Sequence, residues 1–370
     1  MIRVLSVIGT RPEGIKMAPV VRELARRPDR LHGVVVSTGQ HRQMLDQVLA
    51  LFGLRPDIDL DVMRPDQSLP QLTAALFTGL DDVVREQQPD WILAQGDTTS
   101  VMVASLVAFY HRVKFGHVEA GLRTGDMGRP FPEEMNRRIA DLAATAYFAP
   151  TTRSRDALLG ENVPTDRIHV TGNTVVDALH HVAALPYDIA TGPLAELPPH
   201  RRLVLVTAHR RESFGGPFRE LCHAIRDLAA TFAAEGVHFV YPVHLNPNVR
   251  APVGEILAGL PNVHLVAPFD YVTMVQAMRR AALILTDSGG IQEEAPSFGV
   301  PVLVMRDTTE RPEGVDAGVV RLVGTDRGRI VVEASASLRT AGTAVPRPNP
   351  YGDGHASERI VQVLLDHAPG

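Results

Sequence analysis

The sequence of 370 residues has a single cysteine, no long apolar run and no excess of positive charge, and each absence excludes a class of protein. Its single cysteine, Cys222, excludes an internal disulfide, and the helical pattern around it indicates a packing role rather than a nucleophile. No apolar run is long enough to span a bilayer, and residues 1–8 read as a strand rather than a leader. We therefore expect a cytoplasmic protein without a membrane partner. The formal net charge of -5 offers no basic field, so nucleic acid is not an expected partner either.

Cofactor and metal motifs are also absent from the sequence. Residues 9–14 do not form the G-x-G-x-x-G pattern of dinucleotide sites, and no lysine follows a glycine-rich loop as it does in ATP-hydrolysing proteins. There is no H-E-x-x-H pattern and no cysteine pair, and His117 with Glu119 is only an alternating pair on one strand. We expect neither a nicotinamide cofactor nor ATP hydrolysis, and no bound metal.

Short apolar runs alternate with helical patterns along almost the whole chain, which predicts parallel sheets covered by helices on both faces. The length exceeds that of a usual single core, and a proline-rich stretch of weak periodicity interrupts the alternation. We expect an α/β protein with two doubly wound domains, residues 1–180 and 203–355, joined by a linker region at 181–202. An amphipathic helix at 356–367 should pack back onto the first domain.

The predicted strands stop where polar clusters begin. In the first half they are residues 2–8, 33–38, 91–94, 114–118, 147–149 and 168–171. In the second half they are residues 203–207, 238–241, 263–266, 283–286, 302–305 and 319–323. Open α/β sheets bind ligands outside the carboxyl ends of their strands, so we expect the site in the cleft between the two domains.

The stretch from 283 to 296 predicts a phosphate seat. Its apolar run ends at Ser288-Gly289-Gly290, where a helical pattern starts. Two glycines let the backbone approach an anion closely, and the first-turn amides of a helix lack intrahelical partners. Glu293 or Glu294, one turn later, would reach the hydroxyls of an attached ribose. The structural alternative is an ordinary tight turn.

Polar clusters follow four other predicted strands as well. They are residues 9–13, 95–100, 119–123 and 208–213. Structural alternatives are Asp97 or Ser100 as a helix N-cap, Glu119 as a surface turn residue, and His209 as a histidine with satisfied hydrogen bonds. Glu133 and Arg137 have the i,i+4 spacing of a solvated helix face. The recurrence of such clusters at equivalent positions favours a functional site.

These clusters carry a resemblance that covers nearly the whole chain. The sequence resembles the non-hydrolysing bacterial UDP-N-acetylglucosamine 2-epimerases in the motifs GTRPE (9–13), GDTT (96–99), HVEAGLRTG (117–125), PEE (132–134), HRRES (209–213), YPVHLNP (241–247), DSGGIQEE (287–294) and RDTTERPE (306–313). The resemblance implies two Rossmann-like domains of the glycosyltransferase B type and no cofactor. It also implies reversible conversion of UDP-N-acetylglucosamine to UDP-N-acetylmannosamine by elimination and re-addition of UDP. This reaction would supply precursors for cell-surface polysaccharide, and the enzyme would be a homodimer.

The resemblance assigns roles to individual residues. The acid/base candidates are Asp97, Glu119 and Glu133, with His209 on the diphosphate side. The UDP-binding residues are Arg11, Lys16, Ser288, Gly289, Gly290 and Arg311, with Glu294 on the ribose and Phe269 at the uracil. The residues expected to hold a second, regulatory UDP-N-acetylglucosamine are Gln40, Gln43, Arg211 and His244.

Three other functions share part of this pattern. A hydrolysing epimerase would share the fold and first step but release UDP and free N-acetylmannosamine; the regulatory-type glutamines and His244 argue against it. A glycosyltransferase of the same fold would use the glycine-pair seat but need an acceptor site, for which the sequence gives no separate signal. A catalytically silent nucleotide-sugar sensor would not need the full set of carboxylates.

Overall fold

The computed structural model describes residues 1–39, 42–190, 192–195, 197, 202–340 and 347–367, without the side chains of residues 42–44. The chain divides into two compact units, Met1–Ala178 with Tyr351–Gly370, and Leu179–Pro350. Each unit contains one parallel sheet with helices packed against it, which confirms the predicted fold class. Within the described ranges, no helix combines the length and apolar character that crossing a membrane requires.

The first unit contains a sheet of seven strands in the order β3-β2-β1-β4-β5-β6-β7. Its strands are β1 (Ile2–Ile8), β2 (Leu31–Ser37), β3 (Ile58–Asp59), β4 (Trp91–Gln95), β5 (Lys114–Val118), β6 (Ala146–Ala149) and β7 (Ile168–Val170). Its helices are α1 (Arg11–Ala25), α2 (Arg42–Leu51), α3 (Leu69–Gln87), α4 (Thr99–His111), α5 (Glu133–Ala143), α6 (Thr152–Gly160) and α7 (Thr174–Ala183), the last of which continues into the second unit.

The second unit contains a sheet of six strands in the order β10-β9-β8-β11-β12-β13. Its strands are β8 (Arg202–Thr207), β9 (Val237–Pro242), β10 (Val263–Val266), β11 (Ala281–Thr286), β12 (Val302–Val304) and β13 (Val320–Leu322). Its helices are α8 (Gly216–Phe232), α9 (Pro247–Leu257), α10 (Tyr271–Arg280), α11 (Gly289–Glu294), α12 (Pro312–Asp316) and α13 (Arg327–Thr340). The last helix of the chain, α14 (Ala356–Asp366), belongs to the first unit.

Helix α14 completes the core of the first unit. Its apolar side chains recur at helical spacing, so they form one face, and that face joins the buried cluster containing Ile2 and Val4 of β1. The buried residues of this face are Ile360, Val361, Leu364 and Leu365. Asp177 of α7 fixes the start of the helix, because its carboxylate accepts from the Ala356 and Ser357 amides at 3.2 and 2.8 Å.

Both sheets have a point in the middle where the strand order reverses. In the first unit β1 pairs with β4 on one side and β2 on the other; in the second, β8 pairs with β11 and β9. Helical connections leave such a point in opposite directions and open a crevice at the carboxyl ends of the strands. Four of the five predicted strand-end clusters, those after β1, β4, β8 and β11, therefore lie at the point of each sheet where ligands usually bind, and the fifth follows β5, the strand next to β4.

Candidate active site

The loop after β1 is held by a carboxylate from the helix that follows it. Oε2 of Glu13 accepts from the Gly9 and Thr10 amides at 2.5 and 2.9 Å, so Thr10 and Glu13 form a capping box at the start of α1. Glu13 is only 3% exposed. Burial raises its pKa to about 7, the hydrogen bonds it accepts oppose this rise, and the charge of Asp97 adds to it. The predicted ligand residue Arg11 begins α1 and is partly exposed.

Glu119 is a buried carboxylate at the end of β5 rather than a surface turn residue. It is 8% exposed, and its backbone adopts a positive φ of 67°. Its Oε2 accepts from Lys16 Nζ at 2.5 Å and from Gln95 Nε2 at 3.0 Å. Lys16 and Gln95 come from α1 and β4, so two separate elements fix this one carboxylate.

Asp97 follows β4 and is bound by helix α5. The Arg137 guanidinium pairs with its carboxylate, and Asn136 Nδ2 donates to its backbone carbonyl at 2.9 Å. Arg137 also donates to Glu134 at 3.2 Å, and both are buried. The alternative of a solvated helix face is therefore wrong for Arg137, which is packed and paired inside the unit, whereas the Glu134–Arg138 pair at i,i+4 does form, with Arg138 partly exposed.

Three of the predicted acid/base residues and one predicted ligand residue come from adjacent elements of the first unit. Gln95 is directly opposite Val118 in the sheet, so the loops that begin with Gly96 and with Glu119 leave neighbouring strands side by side. Glu133 begins α5, one turn before the arginine that binds Asp97. Oε2 of Glu133 is buried and has no hydrogen-bond partner in the part of the chain that the structure describes.

In the second unit Asp287 holds the loop that carries His209. The Asp287 side chain is fully buried, and its Oδ2 accepts from the His209 and Arg210 amides at 2.6 and 2.7 Å. Its Oδ1 lies 3.6 Å from His209 Nδ1. Burial lowers the pKa of His209, Asp287 opposes this, and His244 and Arg210 lower it further. His209 therefore has an exposed imidazole, and its backbone amide is anchored by a buried carboxylate.

The glycine pair stands at the start of α11, with Ser288 as the preceding cap residue. The Ser288 amide donates to the Thr286 hydroxyl at 2.9 Å. A Cβ at Gly289 would lie 3.5 Å from Nη2 of Arg210, which places a guanidinium beside the seat. A Cβ at Gly290 would lie 3.5 Å from Glu294 Oε1, so a side chain there would crowd that carboxylate.

Of the remaining predicted UDP residues, Glu294 belongs to the same helix, Arg311 pairs with it, and Phe269 lies elsewhere in the unit. Glu294 is buried in α11, and its Oε2 accepts from the Tyr271 hydroxyl at 3.1 Å. Phe269 is buried just before α10. Arg311 directly precedes α12, and its guanidinium pairs with the buried carboxylate of Glu293. The structure therefore brings Arg311 to α11 already bound to an acidic partner.

The four predicted regulatory residues are described unevenly. Gln40 lies outside the described residues, and Gln43 belongs to α2 but its side chain lies outside them. Arg211 is exposed at the start of a 3₁₀ segment, Arg211–Ser213. His244 is exposed and stacks on His209 with ring centroids 5.2 Å apart and planes 7° from parallel. Across the described ranges, no group of His, Cys, Asp and Glu side chains could hold a metal ion.

Sequence reasoning missed the residues that hold the candidates in place. They are Glu13, Gln95, Arg137, Arg210 and Asp287. Four lie inside quoted motifs or next to one, so proximity to a motif was an available signal. The sequence gives no signal for which residue each of them binds, because Arg137 and Asp97 are 40 residues apart and Asp287 and His209 are 78 apart.

Comparison with known proteins identifies the family. The family described as UDP-N-acetylglucosamine 2-epimerase matches residues 22–365. The UDP-N-acetylglucosamine 2-epimerase of Escherichia coli O157:H7 is 52% identical over 374 residues, and that of Yersinia pestis is 53% identical over 375 residues; each alignment covers 99% of both chains. The structure of the Neisseria meningitidis UDP-GlcNAc 2-epimerase bound to UDP-GlcNAc aligns with a TM-score of 0.86 at 43% identity, covering 99% of this chain and 100% of that one.

The structural likeness also confirms the predicted glycosyltransferase B class of two Rossmann-like domains. Sequence and structure agree over almost the entire chain rather than over a shared domain. The chain therefore belongs to the UDP-N-acetylglucosamine 2-epimerase family, whose members are isomerases.

Proposed function

We propose that the protein interconverts UDP-N-acetylglucosamine and UDP-N-acetylmannosamine without net hydrolysis. A base removes the C2 proton, the C1–O bond breaks with its electron pair passing to UDP, and 2-acetamidoglucal remains. Re-addition returns UDP to C1 and a proton to the opposite face of C2. The observation that carries this proposal is the buried Glu119 carboxylate held by Lys16 and Gln95, because a weakly acidic C–H bond needs a positioned carboxylate shielded from bulk water.

Asp97 and Glu133 supply the other acid/base groups in this proposal. Epimerisation requires proton exchange on both faces of C2, so a single carboxylate does not suffice. Asp97 is fixed by Arg137, and the Glu133 carboxylate has a buried oxygen with no partner in the described part of the chain. That oxygen is available to a substrate.

The second unit supplies the diphosphate chemistry. The first-turn amides at Gly289 and Gly290 and the guanidiniums of Arg210 and Arg311 can neutralise a diphosphate without a metal. His209 can share a proton with the departing oxygen, since a bound diphosphate would raise its otherwise lowered pKa.

Further contacts follow the family pattern. Arg11 and Lys16 add positive charge from the first unit, and Ser288 contributes its amide and hydroxyl at the seat. Glu294 binds the ribose, and Phe269 lines the uracil pocket.

Regulation by a second UDP-N-acetylglucosamine is part of the proposal. Gln40, Gln43, Arg211 and His244 would hold it. The stacking of His244 on His209 supports this assignment, because a ligand that moves the exposed His244 ring also changes the surroundings of the proposed proton donor. Coupling requires that occupancy of the regulatory site changes the affinity of the active site for its substrate. Kinetic and binding curves measure this change directly.

The proposed role of the reaction is to supply precursors for cell-surface polysaccharide. The proposed assembly is a homodimer. Helix α4 is apolar on nearly all sides, which is typical of a helix covered all round. Phe109 and Tyr110 at its end are nevertheless largely exposed, as is Leu142 of the neighbouring α5. A second copy of the chain would cover this surface.

A proton NMR time course in heavy water with UDP-N-acetylglucosamine tests the reaction. We expect both UDP-sugars to accumulate, each product molecule carrying deuterium at C2. Release of free N-acetylmannosamine in step with substrate loss would assign the chain to hydrolysing enzymes, and product without deuterium would exclude elimination.

A matched pair of variants tests the site. Glu119→Gln should lower turnover roughly 100- to 10,000-fold, the scale for a positioned acid or base. Glu23→Gln changes a buried carboxylate on α1 that pairs with Arg26 and should leave turnover near the wild-type value. Equal turnover in the two variants would remove Glu119 from the chemistry.

A further inference from the structure

A buried pair of charged side chains in the first unit lies behind the two strand ends that carry Asp97 and Glu119. His117 of β5 is fully buried, and Asp141 of α5 nearly so. Nδ1 of His117 lies 2.6 Å from Asp141 Oδ1, and Nε2 lies 2.8 Å from the Gly96 carbonyl oxygen. Neither residue belongs to the acid/base or UDP-binding groups of the proposed function.

The partners of the two side chains fix their protonation. A carbonyl oxygen can only accept a hydrogen bond, so Nε2 of His117 carries a proton and donates to Gly96. The other carboxylate oxygen, Oδ2 of Asp141, lies 2.7 Å from Arg123 Nη2 and accepts from the Gly121 amide at 3.3 Å. A carboxylate surrounded by donors is ionised, so Nδ1 of His117 also carries a proton and donates to Oδ1. His117 is therefore an imidazolium.

The groups around the pair favour the same assignment. Burial lowers the pKa of His117, but the charge and hydrogen bond of Asp141 and the backbone carbonyl outweigh burial and raise it, with Arg123 opposing. Burial raises the pKa of Asp141, and His117 and Arg123 together bring it below its usual value. The other titratable groups here are Tyr147, which donates to the Asp141 backbone carbonyl, and Glu161, which pairs with Arg123.

The pair forms hydrogen bonds with the backbone of both loops. Gly96 has a φ of 85° and directly precedes Asp97, and its carbonyl oxygen accepts a hydrogen bond from the His117 imidazolium. Gly121 follows Glu119 by two residues, and its amide is bound by Asp141. Glu119 itself has a positive φ, a conformation that non-glycine residues keep only where the surroundings fix it. One hydrogen-bonded pair therefore spans from one catalytic loop to the other.

We infer that the ion pair of His117 and Asp141 is a positioning device that fixes the Asp97 and Glu119 loops relative to one another. The inference rests on the proposed function, in which both carboxylates act on the C2 proton. Displacement of a reacting group by about 1 Å can cost about 100-fold in rate, so loss of the pair should affect turnover far more than nucleotide binding. A pair that only stabilises the core would show no such division.

The His117→Phe variant tests this division, with His111→Phe as the matched control. Nε2 of His111 lies 2.6 Å from Asp81 Oδ1, the same separation, but this pair joins α4 to α3 and contacts neither loop. We expect His117→Phe to lower kcat about 100-fold while the UDP dissociation constant, measured by calorimetry, stays within about threefold. His111→Phe should retain wild-type kcat. Equal kcat losses in the two variants, or equal losses of kcat and UDP affinity in His117→Phe, would overturn the inference.

The Asp141→Asn variant covers the case in which His117→Phe does not fold. It keeps the shape of the side chain and removes the charge that holds His117 protonated. Imidazole ¹⁵N shifts at about pH 7.5, where a histidine of ordinary pKa is mostly neutral, should show His117 as an imidazolium in the wild type and as a neutral ring in the variant. Turnover should fall at least about tenfold with UDP affinity retained. A folded variant with wild-type turnover, or a neutral His117 in the wild type, would contradict the inference.

Failure of the inference and failure of the proposed function give different results. If the wild-type protein does not epimerise UDP-N-acetylglucosamine, the proposed function fails. The ¹⁵N shifts and hydrogen exchange of the Gly121 amide still report on the ion pair in that case. If the wild type is active and His117→Phe behaves like His111→Phe, the positioning role alone is wrong.

Discussion

The Glu13→Gln substitution should stabilise the first unit at alkaline pH and change it little in mild acid. Burial raises the pKa of Glu13 from 4.5 to about 7, against hydrogen bonds from the Thr98 side chain and from the Gly9 and Thr10 amides. Folding therefore retains a proton that the unfolded chain releases, so stability falls as the pH rises through this window. The shift of about 2.5 units corresponds to roughly 3 kcal/mol. Glutamine removes this loss, because its amide oxygen can still accept from both backbone amides.

Denaturant unfolding followed by tryptophan fluorescence measures this effect in the correct unit. Trp91 is the single tryptophan and lies buried in β4. The variant minus wild-type difference in unfolding free energy should increase by roughly 2 to 3 kcal/mol between about pH 5 and about pH 8. Glu23→Gln, on the same helix but with an Arg26 partner, should not reproduce that increase. A difference that is constant or decreases with pH refutes the reasoning, because the folded unit would then keep Glu13 ionised.

Three further predictions concern single positions. Asp287→Asn should lower the pKa of His209 further, because it removes a carboxylate that raises it; an NMR titration with an unchanged or higher pKa would contradict this. Gly121→Ala should cost roughly 3 kcal/mol or more, since φ is 84° and the new Cβ would lie 2.3 Å from a backbone oxygen. Gly125→Ala, with a similar φ and open space, should cost only about 1 kcal/mol in the same denaturation assay. Burial raises the pKa of Cys222 to about 12, so a thiol reagent at about pH 8 should label it only after unfolding; rapid labelling of folded protein would be inconsistent with that.

The fold was largely predictable because parallel strands buried on both faces read as short apolar runs. The sequence contains twelve such runs, and each coincides with an observed strand to within two residues at its ends. The missed strand, β3, has two residues and pairs with β2 at Ile58 and Asp59. Its sequence shows no apolar run. Only its backbone hydrogen bonds to the edge of the sheet make it a strand, and these leave no pattern in the sequence. Helix α14 was found because its apolar spacing required a surface.

The candidate site was predictable in position but not in its connections. A motif shows that Asp97 or Glu119 follows a strand, and parallel pairing then brings such residues to one edge of the sheet. Local sequence does not show which side chain returns from a distant helix to meet them. The i,i+4 spacing of Glu133 and Arg137 indicated a solvated face, whereas the fold directs Arg137 inward to Asp97. Tertiary contact decided the role of that arginine.

The two units use the same device at the same place in the sheet, and this bears on where a diphosphate can bind. In each unit the loop after the first strand of the sheet centre has two successive amides, and both amides donate to one buried carboxylate. Glu13 of α1 is that carboxylate after β1, and Asp287, which follows β11, is that carboxylate after β8. In dinucleotide-binding folds these loops hold the pyrophosphate. Here the amides are occupied, and a phosphate would meet a carboxylate instead. The first-turn amides of α11 have no intrahelical partner, and Arg210 lies beside them. Elimination of the two usual loops therefore supports the turn after β11 as the diphosphate seat, independently of any motif.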